Sequence, residues 1–177
     1  FTTETGDDIA TRLDMLDKRF GREKLYIAAV GFKEDEAALK TFAEALAIDY
    51  FVLADNAEID ADSKYGPLTI LPQTMIVSTD LSLLKIVRGG GVGQARVINY
   101  IAEQFLRRGQ TEEAKDAAQL AAEQGEDAKA AKQTEATALM KEGKLDEAEA
   151  AFDEIGSAGG KAAVALERGE PEKAVEI

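Results

Sequence analysis

The sequence contains no cysteine and no histidine, and these two absences exclude more classes of function than any other feature of the sequence. Without cysteine there is no disulfide and no thiol nucleophile, and without histidine there is no Ser-His-Asp triad. The usual zinc sites, built from cysteine and histidine, are excluded as well. We therefore identify no catalytic residue, no metal site and no cofactor, and cysteine usage gives no information about the cellular compartment.

Bases are scarce relative to acids: 21 lysines and arginines stand against 34 aspartates and glutamates, for a net charge of -13 over 177 residues. Such a charge repels nucleic acid and anionic membrane surfaces, so we expect no nucleic-acid partner. No apolar stretch approaches the roughly 20 residues of a membrane span. The first residue is Phe1, so we expect a fragment or a processed form, for which a missing signal peptide means little.

Short apolar runs alternate with helical patterns in the first part of the chain. Apolar spacing predicts helices over 7–20, 33–48, part of 56–66 and 94–109. Apolar runs predict strands at 25–32, 50–55, 72–79 and 83–90. The run at 25–32 is nearly continuous, which is typical of a strand buried on both faces. Alternating strands and helices indicate an α/β layer, and the last two strands, spaced as an antiparallel hairpin, make the predicted sheet mixed.

The second part of the chain, from Gly109, is rich in alanine and contains an internal repeat. The segments RRGQTEEAKDAAQLA and KEGKLDEAEAAFDEI superimpose, so that Gly109 matches Gly143 at a spacing of 34 residues, the tetratricopeptide period. Each glycine should end a helix in the left-handed conformation, and a small alanine should let the next helix pack closely. The remaining repeat positions are Ala114, Ala148, Phe152 and, in a shortened third copy, Gly169 and Ala174.

The repeat also predicts the domain organisation. A first helix pair needs a helix before Gly109, and the only candidate is the one over 97–108. We expect this helix to be shared, closing an α/β domain at 1–108 and opening an all-helical array at 109–177. The two domains would then be fused without a linker.

With this order of elements, residues 7–106 resemble a TlpA/ResA-type thioredoxin. The segments YFVLAD, KYG and LPQTMIVSTDLSLL stand where that family has a strand, a tyrosine-glycine turn and a Leu-Pro pair directly before a strand. The resemblance implies a thioredoxin-like mixed sheet. It also implies a cis peptide bond before Pro72, with Ile70, Leu71 and Pro72 presenting a loop to an extended peptide. An ordinary strand-starting proline is the alternative.

The family's redox motif is absent. Its two cysteines would fall near Thr3 and Gly6, where the sequence reads FTTETG, and the strand that should precede them is missing. The chain as written cannot exchange thiols and disulfides. Loss of that strand would also leave an open sheet edge in the middle of the domain. We expect this edge to be filled by residues outside this sequence, by a second copy of the chain, or by a rearranged sheet.

Three other patterns favour ordinary structure over a site. The glycine-rich run at 89–94 lacks the Gly-Lys-Ser/Thr of a phosphate loop, so we interpret it as a turn. The segment at 60–71 lacks the glycine and glutamate of a calcium loop. The acid clusters at 34–36 and 146–154 are typical of solvated helix surfaces.

The sequence therefore predicts a protein–protein interaction module: a thioredoxin-like domain without redox cysteines, joined to tetratricopeptide-like repeats that bind a protein or peptide partner. The alternative is a thiol–disulfide oxidoreductase, or a redox-linked chaperone, whose Cys-x-x-Cys lies outside this sequence. The resemblance implies export to the periplasm, with a cytoplasmic location as the alternative. Neither the partner nor the oligomeric state follows from the sequence.

Overall fold

The structure, a computed structural model, describes residues 4–55, 70, 72–89, 92–123 and 128–177, with residues 4–8 and 92–95 as backbone only. The chain divides into two compact units, Phe1–Gly91 and Val92–Ile177. The described part of the first unit mixes helices and strands, and that of the second is helical. This confirms the predicted α/β region followed by an array of packed helices.

The first unit contains the elements that the apolar patterns predict, with shorter strands than expected. They are α1 (Glu4–Phe20), β1 (Ala28–Gly31), α2 (Glu36–Ala45), β2 (Phe51–Ala54), β3 (Gln73–Val77) and β4 (Leu83–Arg88). The helix predicted within 56–66 lies outside the described residues.

Strands β1 and β2 flank α2 and pair in parallel, with Ala28 opposite Phe51. Helix α2 begins where the Asp35 carboxylate accepts a hydrogen bond of 2.7 Å from the Ala38 N–H, which satisfies one of the free donors of the first turn. The buried Leu39 of this helix occupies the space that a side chain at Gly31 would need. The helix therefore packs closely on the small parallel sheet.

Strands β3 and β4 form the predicted antiparallel hairpin, with Gln73 opposite Arg88. Its turn closes when the Leu81 N–H donates to the Ser78 carbonyl and the Ser78 N–H donates to the Ser82 carbonyl, both at 2.9 Å. Leu81 has a φ of 65°, which glycine usually supplies in such loops, and its side chain is exposed. The hairpin tip therefore holds a leucine in a conformation that its side chain disfavours.

The strands differ from the prediction in how they associate. Among the described residues they form two separate two-stranded sheets, β1–β2 and β3–β4, instead of one mixed sheet. The prediction that β1 is buried on both faces is wrong: Ala28 is exposed, Ala29 and Val30 are half-buried, and only Gly31 is buried. A strand that has a neighbour on one side only cannot be enclosed as a central strand is.

The end of α2 gives a stability prediction. Ala47 has a φ of 51°, its N–H donates to the Glu44 carbonyl at 3.3 Å, and the next N–H donates to the Ala43 carbonyl at 3.0 Å. This is the helix-ending geometry that glycine adopts without the steric penalty of a Cβ. We expect Ala47→Gly to raise the free energy of unfolding of the first unit by about 0.5–1 kcal/mol in urea titrations followed by circular dichroism.

The control for this prediction is Ala45→Gly, at an exposed helical position of α2. There the same substitution should lower the free energy of unfolding by roughly 0.5–1 kcal/mol, because glycine is a poor helix former. Two changes of the same sign would contradict the assigned helix end.

The second unit contains six helices in its described residues: α3 (Val92–Arg107), α4 (Thr111–Glu123), α5 (Ala128–Lys141), α6 (Leu145–Glu154), α7 (Ala158–Glu167) and α8 (Pro171–Glu176). Each helix packs against the next, and in addition α3 packs on α5 and α5 on α7. Contacts between alternate helices are what stacked helix pairs produce. The short helix α8 contributes no buried residue.

Helix α3 covers the segment that we expect to be shared between two domains. It belongs to the second compact unit and packs on α4 and α5, as the first helix of an array would. Its other expected role, closing the α/β region, stays a prediction.

Candidate functional site

Three glycines that the sequence aligns as repeat positions end helices in the same way. Their φ angles are 75° at Gly109, 78° at Gly143 and 78° at Gly169. In each case the glycine N–H donates to the carbonyl three residues back at 3.0–3.1 Å, and the next N–H donates to the carbonyl five residues back at 2.9–3.0 Å. This pair of bonds satisfies carbonyls that the end of a helix leaves free. The left-handed glycine caps predicted from the sequence are confirmed.

The described part of the helical array has the same cap at a further glycine, which the sequence comparison did not single out. Gly156 ends α6 with a φ of 64° and the same two bonds, each of 2.9 Å. Gly156 lies between the second and third copies of the repeat, where the helices are only ten residues long. No glycine therefore stands 34 residues before it in the sequence. The rule that glycine follows a helix would have found it.

The repeat alanines lie where the helices press together. Ala114 and Ala148 are fully buried, Phe152 is 1% exposed, and Ala174 in the last helix is half-buried. Phe152 forms a core with Ala136, Ala148 and Val164. The sequence alignment therefore identified two positions of α6, Ala148 and Phe152, that pack in this core.

Gly160 completes this core from α7. It is buried, and a Cβ at this position would overlap the ring of Phe152. Its neighbour Gly159 is exposed and has open space where a Cβ would lie. The Phe152 ring of α6 thus packs directly on the backbone of α7 at Gly160, a contact that the repeat pattern alone did not predict.

A shallow cleft of about 440 Å³ lies beside this core and is lined by Asp146, Glu149, Ala150, Asp153 and Lys161. Its acids do not stand alone. Lys161 pairs with Asp153 at 2.7 Å. The guanidinium of Arg168 pairs with both Asp146 and Glu149.

These pairs lower the pKa of two cleft acids: a hydrogen bond from Arg168 lowers that of Glu149, and one from Lys161 lowers that of Asp153. Lys173 of α8 also approaches Glu149, at 3.5 Å. The cleft is therefore a set of ion pairs that tie α6 to the chain that follows it. Each of its acids is paired with a base, so the cleft holds neighbouring helices together and is not an obvious ligand site.

A second charge cluster joins α4 to the turn before α6. The Glu142 carboxylate forms ion pairs with Lys144 at 2.8 Å and with Lys115 at 2.9 Å, and only 15% of its side chain is exposed. Hydrogen bonds from Lys144 and then Lys115 lower the pKa of Glu142 from its ordinary 4.5 to about 2. The ionised form of this carboxyl group is thus favoured in the folded protein.

This pairing predicts a pH dependence. Because the folded pKa of Glu142 lies below the unfolded one, its stabilisation is complete above about pH 5 and is lost as the pH falls from 4.5 towards 2. We expect Glu142→Gln to lower the free energy of unfolding by roughly 1 kcal/mol at pH 7 and to have little effect near pH 2. Urea titrations at several pH values measure this.

Glu135→Gln, at an exposed position of α5, is the control and should change stability little at any pH. An effect of Glu142→Gln that does not vary between pH 7 and pH 2 would show that the charge is not what stabilises the cluster.

The peptide-binding loop implied by the family resemblance is described in part. Ile70 is 51% exposed. Pro72 is half-buried, and its carbonyl accepts a hydrogen bond of 2.8 Å from the Gly89 N–H beside the end of β4. Leu71 lies outside the described residues, so the cis geometry of the bond before Pro72 stays a prediction. Of the two redox-motif positions, Gly6 lies in α1 and Thr3 lies outside the described residues.

Two buried polar side chains, Asp14 of α1 and Tyr50 just before β2, were not identified from the sequence. Asp14 accepts a hydrogen bond of 3.0 Å from the Asp49 N–H and pairs with Lys18 at 2.6 Å. Tyr50 is buried, and its hydroxyl donates to the Ala10 carbonyl at 3.4 Å. Burial, reinforced by the charge of Asp14, raises the pKa of the Tyr50 hydroxyl, which therefore stays protonated. This arrangement anchors α1 to the start of β2.

Two classes of site are not represented in the described residues. They bring together no cluster of three carboxylates that could hold a metal ion. None of the described helices is both long and apolar enough to cross a membrane. The chain matches no protein-family model, no curated protein and no solved structure.

Proposed function

We propose that this chain is a protein–protein interaction module, in which a thioredoxin-like domain without redox cysteines is fused to tetratricopeptide-like helix pairs. The module binds a protein or peptide partner and performs no chemistry of its own. Its family resemblance also supports a role outside the cytoplasm, in the periplasm.

The observation that carries this proposal is the repeated helix pair. Gly109, Gly143 and Gly169 end helices with one common geometry, and alternate helices of the array contact each other. Stacked pairs of this kind present an extended surface along the array, and repeat proteins use such surfaces to bind other chains. The absence of cysteine and histidine from the sequence supports binding over chemistry.

A selection of peptides from a random display library tests the proposal, with the intact chain as bait at physiological salt. We expect enriched peptides that bind with a Kd of about 10 µM or tighter by fluorescence anisotropy. Peptides bound by the helix pairs should lose binding to Phe152→Ala under conditions where circular dichroism shows the array unfolded. They should keep binding to Val175→Ala, since Val175 lies exposed at the far end of the array.

Failure to enrich any peptide over several rounds would contradict the proposal. Equal binding to the folded chain and to the unfolded Phe152→Ala chain would also contradict it, because binding would then not depend on the helix pairs.

The resemblance leaves thiol–disulfide exchange as the second candidate. This chain should reduce insulin no faster than a no-protein control, because it has no cysteine. Turnover by a longer form that carries Cys-x-x-Cys upstream of Phe1 would favour the oxidoreductase.

A further inference from the structure

An ion pair joins the second helix of each of two repeat copies to the helix that follows it. Lys115 of α4 pairs with Glu142 at the end of α5, at 2.9 Å. Glu149 of α6 pairs with Arg168 at the end of α7. In both pairs the first residue stands six positions after a repeat glycine, and the second stands directly before the glycine of the next copy. We call this recurring ion pair the clasp.

The clasp changes its polarity from copy to copy and then loses its charge. In the first copy a base of α4 meets an acid, and in the second copy an acid of α6 meets a base. In the third copy the residue six positions after Gly169 is Val175, which is 89% exposed. A charged group placed against this valine would lose water without gaining a partner. The repeat therefore predicts that a helix stacked on α8 ends in an apolar residue.

Other positions of the third copy are also less covered than their equivalents. Ala114 and Ala148 are fully buried, whereas Ala174 is half-buried. Leu106, three residues before its glycine, is 7% exposed, and Leu166 at the same position of the third copy is 59% exposed. In the first two copies the second helix packs against a following helix, α4 against α5 and α6 against α7. The last copy thus presents the surface on which such a helix stacks.

Helices α5 and α7 show what kind of helix fits this surface. They have 14 and 10 residues, and most of their buried side chains are small. Among these are Ala131, Ala136 and Ala138 in α5 and Gly160 and Ala165 in α7. Small residues on one face allow two helices to approach closely, so a helix of this composition is what the repeat accepts.

Charge indicates the rest of the helix surface. Glu167, Glu172 and Glu176 are exposed around the last helix pair, while Arg168 and Lys173 already pair with acids. A second copy of the chain would bring the same acids and a net charge of -13 to this surface, and would be repelled. A helix that carries lysine or arginine beside its stacking face would be attracted.

We propose that the end face, formed by Leu166, Ala174 and Val175, binds an amphipathic helix of a partner protein. This helix has one face of small residues, an apolar residue directly before a helix-ending glycine, and bases beside that face. It stacks on α8 as α5 stacks on α4, with its apolar last residue against Val175. The proposal rests on the proposed interaction function and specifies the class of its partner.

The test uses the intact chain and a fluorescein-labelled peptide with the sequence of α5, residues 128–141, in which lysine replaces Glu135. The peptide ends in Leu-Gly, and a hydrocarbon link between two exposed positions keeps it helical. Fluorescence anisotropy should give saturable binding. A matched peptide that ends in Glu-Gly, as α5 itself continues, should bind at least about tenfold more weakly, because its carboxylate would meet Val175 without a partner.

Val175→Lys tests the protein side, because it restores the base of the first clasp at this position. Val175 is 89% exposed, so the circular dichroism spectrum should stay unchanged. We expect the order of the two peptides to reverse, with the Glu-Gly peptide bound at least about threefold more tightly than the Leu-Gly peptide. A purely structural effect of the substitution would weaken both peptides alike.

Several results would overturn the proposal. Absence of saturable binding by the Leu-Gly peptide, equal binding of the two peptides, or an unchanged order in Val175→Lys would each do so. A chain that is dimeric alone, and monomeric as Val175→Lys, would assign the end face to a second copy. A longer form of the chain that does not bind the peptide would assign it to a following helix of the same protein.

The end face and the surface along the array can be tested separately. Peptides held along the array keep binding to Val175→Ala, whereas the Leu-Gly peptide should bind this variant more weakly than the unaltered chain. Loss of the end-face results alone therefore overturns this proposal and leaves the proposed function standing.

Discussion

Replacing Phe152 by alanine is expected to lower the free energy of unfolding of the helical unit by about 3–5 kcal/mol. The ring is 1% exposed and packs with Ala136, Ala148 and Val164. The other buried residues of this cluster are small, and the larger side chains packed against it are only partly buried, so part of the space that the ring leaves stays unfilled. The loss therefore includes a cavity as well as the lost burial of the aromatic side chain.

Urea titration followed by circular dichroism at 222 nm measures this loss. The control is Val175→Ala, which removes apolar atoms from an 89% exposed side chain in the same unit and should change stability by less than about 0.5 kcal/mol. A loss below about 1 kcal/mol for Phe152→Ala would mean that the ring is not the centre of the packing between α5, α6 and α7.

Alanine substitutions at two adjacent glycines of α7 are expected to have opposite effects. Gly160→Ala places a methyl group into the ring of Phe152 and should lower the free energy of unfolding by about 1–3 kcal/mol. Gly159→Ala meets no neighbouring atom and improves helix propensity, so it should raise the free energy of unfolding by about 0.5–1 kcal/mol. The same titrations measure both variants.

A double-mutant cycle identifies the cause of the Gly160 effect. In the Phe152→Ala chain the ring is gone, and the methyl group of Gly160→Ala enters the space it leaves. The two losses should therefore sum to more than the loss in the double variant, by about 1 kcal/mol or more. Strict additivity would place the strain of Gly160→Ala elsewhere in α7.

The sequence predicted those parts of the fold that depend on local rules. Helix ends at Gly109, Gly143 and Gly169 follow from the steric freedom of glycine, and the β3–β4 hairpin follows from two apolar runs with a short polar turn. The repeat period also identified Ala148 and Phe152 as packing positions before any contact was known.

What the sequence did not predict depends on contacts between distant residues. The apolar run at β1 has the composition of an enclosed strand, and no local signal shows that it pairs with β2 alone in the part of the chain that the structure describes. The fit of Gly160 to Phe152 needs the approach of two helices, which a single sequence does not encode in its spacing. Asp14 is an acid on a helix, and only the position of Asp49 makes it an internal acceptor.

The last helix, α8, buries no side chain and is attached to the array through Lys173 and Glu149, while Arg168 at its entrance pairs with Asp146 and Glu149. It depends on its ion pairs more than α6 does, because α6 also buries Ala148 and Phe152. We expect rising ionic strength to weaken the ion pairs that hold α8 before it affects the packing around Phe152. The attachment of α8 should therefore depend on salt more than the attachment of α6 does.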